Sequence, residues 1–223
     1  MLKDVLEVVP YCNEHKSVWS PKLVTMLQET CSQIDSLWSY EINHGEARLN
    51  IENYCSHFGD KMRPKWLVFW GEHPEKIQPF GGWNAINAAQ SLPWWQAYQN
   101  VKHNRIINRE QATLENAVKA LAGLFLAILR CESCRDGVGH GLNVSHDTTT
   151  GYCNPLDCLS DVYDCANPDR DSVPSVFTWQ YIAVESKLFS YPVGWWAKQK
   201  NVDENWGGHA SYRFRTWFAS QSW

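Results

Sequence analysis

The sequence predicts a mainly α protein: a helical bundle with a cysteine-rich loop and a small C-terminal β element. Three observations carry this. Four segments before residue 131 repeat apolar residues at three- and four-residue spacing, residues 132–173 are rich in Gly, Asp, Asn, Thr and Cys without any period, and the last third holds β-branched and aromatic runs. The 223 residues are 44% hydrophobic, enough to bury a core at this length. Thirteen Trp, nine Tyr and eight Phe exclude a chain disordered throughout. The expected organisation is one compact unit with a helical core over 1–131, a loop over 132–173 and a β-containing extension over 174–223.

The first long helix opens at Ser20-Pro21, a hydroxyl N-cap followed by proline at the first helical position. Val24, Leu27, Cys31, Ile34 and Trp38 form its apolar stripe, and Asn43-His44-Gly45 ends it. Cys31 reads as a small core residue. A second helix over about 47–59 turns Leu49, Ile51, Tyr54, Cys55 and Phe58 inward and breaks at Arg63-Pro64. Trp66 to Trp70 is a continuous apolar run, a buried strand or an extended strap, and Gly81-Gly82 marks a loop.

Ser91-Leu92-Pro93 begins a third helix carrying Trp94, Trp95, Tyr98 and Val101, which stops near Lys102-His103-Asn104-Arg105. The clearest element spans about 111–131, where Leu114, Val118, Leu121, Phe125 and Ile128 share a face and Ala117, Ala120 and Ala127 add helix propensity. Beyond the loop, Val176 to Val184 reads as β, and Tyr212 to Phe218 alternates as a strand that sets Arg213, Arg215 and Trp217 on one face. Such a face suits single-stranded nucleic acid by stacking and charge, or cross-strand salt bridges. The tryptophan pairs Trp94-Trp95 and Trp195-Trp196 are read as mostly core and partly a binding surface.

Several function classes drop out. No apolar run reaches the length of a membrane span; the longest, Leu121 to Leu129, is half of it. A formal net charge of −4 argues against nonspecific duplex binding, while a local basic patch still suits RNA. The chain has no phosphate-binding Gly-rich loop, nucleophile elbow or His-Glu-x-x-His. Its N-terminal residues lack the layout of a secretory signal, so eight cysteines point to a reducing, cytoplasmic setting.

Five of those cysteines crowd one segment. Cys131-Glu-Ser-Cys134 has the gap that puts two thiolates on adjacent corners of a tetrahedron, with two of His140, Cys153, Cys158 and Cys165 completing a structural zinc. Thiols without metal and disulfides remain alternatives. A metal or tight packing is expected because so long a loop needs a tie.

The densest chemistry lies at the end of the Trp-Trp helix. Tyr98 and Lys102 are one turn apart, and Lys102, His103, Arg105 and Arg109 gather near the helix C-terminus, where cations favour the dipole and offer a phosphate site. Trp94-Trp95-Gln96-Ala97-Tyr98, then Val101-Lys102-His103 and Arg105, followed by an alanine-rich helix, resembles a motif of uncharacterised bacterial proteins over residues 94–131. More distantly it resembles the HEPN superfamily, helical bundles that include metal-independent ribonucleases of toxin–antitoxin and antiphage systems. That resemblance implies attack of an RNA 2′-hydroxyl on its own phosphate, with His103 moving protons or orienting the phosphate, Arg105 and Lys102 stabilising charge, and Tyr98 as a supporting hydroxyl. The superfamily's Arg stands four to six residues before its His, whereas Arg105 follows His103; the literal spacing occurs at Arg135 and His140.

Arg109, Arg213 and Arg215 are the expected further nucleic-acid contacts. The expected partners are RNA, or a partner protein such as an antitoxin, with a homodimer left open. The rival expectation is a non-catalytic protein-interaction module with an aromatic surface and zinc fixing its loop.

Overall fold

The structure, a computed structural model, describes residues 1–44, 47–131, 134, 183–192 and 212–221. The chain divides into two compact units, Met1–Ala127 and Ile128–Trp223.

In the first unit, α1 (Leu2–Leu6) is followed by α2 (Pro21–Asn43). Ser20 caps α2 by accepting from the Leu23 N–H at 3.3 Å, and the proline takes the first helical position. The stripe Val24, Leu27, Cys31, Ile34 and Trp38 is buried throughout. His44 ends the helix with φ 55°, a left-handed residue that returns its N–H to the Tyr40 carbonyl. α3 (Ile51–Met62) starts later than the sequence suggests, because Asn50 and Asn53 exchange side-chain and backbone hydrogen bonds in a capping box. Ile51, Tyr54 and Cys55 face inward, while Leu49 and Phe58 are half-buried.

The apolar run is a strand, β1 (Leu67–Trp70), paired antiparallel with β2 (Pro74–Ile77) from Leu67↔Ile77 to Trp70↔Pro74. The aromatic helix is α4 (Pro93–His103); a short turn, α5 (Arg105–Asn108), follows, and then α6 (Leu114–Arg130). Ser91 does not cap α4: its hydroxyl donates to the Ala88 carbonyl and accepts from the Asn84 N–H, and Leu92 holds the cap position.

Trp38 is where these elements meet. Its ring stacks on Trp83 at 5.4 Å and on Phe58 at 5.1 Å, and it touches Tyr54 at 5.4 Å and Phe80 at 5.6 Å. The neighbouring Trp94 is fully buried and donates its indole N–H to the Pro79 carbonyl at 2.7 Å. Such bulk needs small residues opposite. α6 supplies Ala117, Ala120, Gly123 and Ala127, all buried, whereas the larger Leu121, Phe125 and Ile128 are only half-buried. At Gly123 a Cβ would stand 3.2 Å from Phe80 and 3.4 Å from Trp94. The alanines, read from sequence as helix propensity, pack in the core together with Leu114, Val118 and Leu126.

In the second unit, β3 (Ala183–Glu185) and β4 (Phe189–Pro192) form an antiparallel hairpin, which agrees with a small C-terminal β element. Of the strand read over 176–184, only 183 and 184 are among the described residues. The strand expected over 212–218 is a helix instead, α7 (Tyr212–Ala219). The deciding pair is Phe214 and Phe218, one helical turn apart, both buried and stacked at 5.9 Å. Arg213 and Arg215 therefore do not share a face: positions two apart lie on opposite sides of a helix. The chain is mainly helical, and no helix among the described residues is long and apolar enough to cross a membrane.

Candidate functional site

A cavity of about 520 Å³ opens in the first unit between α2, the start of α3 and the second half of α4. From α4 it takes Trp95, Gln99, Lys102 and His103; from α2, Asp35, Ser36 and Ser39; and from the α2–α3 connection and α3, Arg48, Leu49, Asn50, Ile51 and Tyr54.

Each wall is set locally. The end of α4 is held by carboxamides: Gln96 donates to Asn100 at 2.9 Å, Asn100 donates to Gln111 at 2.7 Å, Gln111 donates to Asn108 at 3.0 Å, and Asn108 donates to the Asn100 carbonyl at 3.0 Å. Asn104 then leaves the helix and caps α5, its side chain accepting from the Ile107 N–H. That break ends α4 at His103 and starts a new turn at Arg105. Asn50, fixed by the capping box, does the same for the α3 wall.

Lys102 and His103 are exposed on this wall. The Lys102 ammonium lies 5.2 Å from the centre of the Tyr98 ring. Tyr98 itself is buried beneath, edge-on to Trp95 at 5.3 Å, and burial pushes its phenol pKa up, with Lys102 opposing. Arg48, which the α2–α3 connection brings to the lining, is exposed and makes no ion pair or hydrogen bond to a described residue. The buried Tyr54 phenol donates to Asp35 Oδ1 at 2.7 Å and to the Asp35 carbonyl at 3.2 Å. Burial first, and then Asp35, push the Tyr54 pKa above the ordinary phenol range.

The sequence-predicted residues thus separate. Lys102 and His103 share the cavity, with Tyr98 beneath Lys102. Arg105 is exposed on α5 outside the cavity lining, and Arg109 places its guanidinium 5.1 Å from the Trp19 ring centre. Trp94 and Trp95 are 0% and 1% exposed, so this pair is core, with Trp95 also lining the cavity; Trp195 and Trp196 lie outside the described residues. Cys131 is buried just past α6, and Cys134 donates its N–H to the Cys131 carbonyl at 3.1 Å. Arg135, His140, Cys153, Cys158 and Cys165 lie outside the described residues, and no group of three potential ligands occurs among those described.

Sequence reasoning passed over Arg48, Asp35, Ser36, Ser39 and Gln99. One signal was present: Asp35 and Ser39 flank the apolar stripe of α2 one turn apart, and Gln99 sits one turn before Lys102. No family model, curated protein or solved structure matches the chain.

Proposed function

We propose that this cavity binds a phosphate ester of RNA or a nucleotide and acts on it without metal, as the likeness to HEPN ribonucleases implies. The observation supporting this is that Lys102, His103 and Arg48 line the same cavity, none of them in an ion pair among the described residues. Lys102 and Arg48 neutralise the non-bridging oxygens, Arg as a planar fork and Lys as a point charge. His103 takes the proton of the 2′-hydroxyl as its oxygen bonds to phosphorus. The P–O5′ bond breaks, and the imidazole returns the proton to the departing 5′ oxygen, leaving a 2′,3′-cyclic phosphate. Tyr98 serves by supporting Lys102 rather than by touching substrate. Arg105 and Arg109 suit flanking phosphates. A role in toxin–antitoxin or antiphage systems rests on the likeness alone.

Incubation of purified protein with mixed RNA in EDTA tests the reading. Cleavage to cyclic phosphate ends that disappears in His103→Ala supports it; absence of cleavage across substrates sinks the enzyme. The second reading, a non-catalytic partner-binding module, is favoured by Ile106 and Ile107, 83% and 74% exposed on α5. It is tested by whether Ile106→Ser abolishes a pulled-down complex. A structural zinc on Cys131 and Cys134 is a separate proposal. Elemental analysis near one equivalent supports it, and less than about half an equivalent removes it.

A further inference from the structure

The phosphate reading leaves one wall of the cavity without a role. Asp35 lines the cavity with the cations, yet it pairs with no Lys, Arg or His among the described residues. Its carboxylate is nonetheless fixed. The Tyr54 phenol donates to Oδ1 at 2.7 Å, and the Tyr54 ring is held between Trp38 at 5.4 Å and Trp95 at 6.4 Å. One bond from a phenol uses a fraction of a carboxylate's acceptor capacity. The cavity lining therefore combines cations with a positioned acceptor that has lone pairs to spare.

That arrangement suits a ligand that is anionic at one end and carries N–H donors at the other. Among nucleotides the base decides how well a carboxylate is met. Guanine sets N1–H and its 2-amino group side by side on the pairing edge. Uracil has a single N3–H between two carbonyl oxygens, and adenine and cytosine place a ring-nitrogen lone pair beside the amino group, which repels a carboxylate. We propose that the cavity selects guanosine phosphates, with Asp35 accepting from the guanine pairing edge while Lys102 and Arg48 hold the phosphate. Gln99, one turn before Lys102, supplies an amide donor for the guanine carbonyl. The volume of about 520 Å³ accommodates a small ligand of this class. The inference rests on the phosphate-ester reading of the same cavity and adds the base.

Calorimetric titration of the full chain with GMP, IMP, AMP, CMP, UMP and inorganic phosphate tests it. GMP is expected to bind about tenfold tighter than AMP, CMP or UMP, with IMP between, since it keeps N1–H and lacks the amino group. Asp35→Asn keeps an acceptor for Tyr54 but turns an N–H toward the base. It should bind GMP and UMP within roughly twofold of each other while holding inorganic phosphate as the native chain does. A melting curve confirms that the variant folds; if it does not, Tyr54→Phe, which frees the carboxylate, must narrow the preference for GMP. Equal binding of all the nucleotides by the native chain overturns guanine selection and leaves the phosphate reading standing. Binding of neither nucleotides nor phosphate overturns both, and an Asp35→Asn chain that still prefers GMP removes Asp35 from the recognition.

Discussion

The phenol of Tyr54 on α3 and the carboxylate of Asp35 on α2, nineteen residues apart in sequence, share a 2.7 Å hydrogen bond at the edge of the cavity. The bond joins two helices and orients an acidic group, so it serves both the fold and the site. Tyr54→Phe keeps the ring packing and deletes the donor. A loss of about 1.5–3 kcal/mol is expected, the range for hydrogen bonds to charged groups, read from urea denaturation. A variant as stable as the native chain would show that the bond contributes nothing.

Tyr11, Tyr54 and Tyr98 all have phenols pushed upward, by burial above all. A raised phenol pKa means that the folded chain holds a proton the unfolded chain releases once pH passes about 10. The unfolded state then binds fewer protons, so stability is full below that pH and falls as pH rises through the folded values. Burial pushes the Cys31 and Cys55 thiols upward as well, so urea midpoints should begin to fall above about pH 8.5 and fall more steeply above about pH 10, with the 295 nm phenolate signal of these three rings appearing only on unfolding. Midpoints that stay level at high pH would contradict this.

Gly123→Ala should destabilise the first unit although alanine favours helices by about 1 kcal/mol over glycine. The added Cβ meets Phe80 at 3.2 Å and Trp94 at 3.4 Å, and neither ring can retreat: both are fully buried, and Trp94 is tied to the Pro79 carbonyl. Overpacking of this kind costs about 1–3 kcal/mol, so a lowered melting temperature is expected. A raised one would mean that the rings yield.

Asn100→Ala removes the link from Gln96 to Gln111 behind the end of α4. The expected cost is about 1–2 kcal/mol. The more telling effect is on RNA cleavage: kcat should fall more than KM changes, because His103 loses its alignment while Lys102 and Arg48 still bind phosphate. Unchanged kcat would remove Asn100 as a positioning residue.

The helical half was legible where local signals agreed. Ser20-Pro21, the stripe to Trp38 and the turn at His44 gave α2 from end to end. β2 was not legible, since Pro74-Glu75-Lys76-Ile77 carries one apolar side chain worth burying and owes its pairing to β1. α7 is not legible because Tyr212, Arg213, Phe214 and Arg215 alternate over a few residues, whereas the Phe214–Phe218 contact that decides the matter needs a full turn. In α6 the start of the expected stripe, Leu114 and Val118, is fully buried, while from Leu121 onward the indole of Trp94 and the ring of Phe80 favour the small residues.

The site divides in the same way. Lys102 and His103 announced themselves as a cationic helix end following an aromatic run. Arg48, Asp35 and Tyr54 carry no local signal linking them to residue 103, because only the packing of α2 and α3 against α4 brings them to the same cavity. Arg105, adjacent in sequence, is separated from His103 by the cap at Asn104.

The central claim is that Lys102 and Arg48 hold a phosphate beside His103. The direct measurement is calorimetric binding of a 2′-deoxy dinucleotide, which cannot be cleaved by the proposed route, to the native chain and to the Lys102→Ala, Arg48→Ala double variant. The double variant is expected to bind at least about tenfold more weakly and with a shallower salt dependence, because charged phosphate contacts are lost. Equal affinity and equal salt dependence in the two proteins would contradict it.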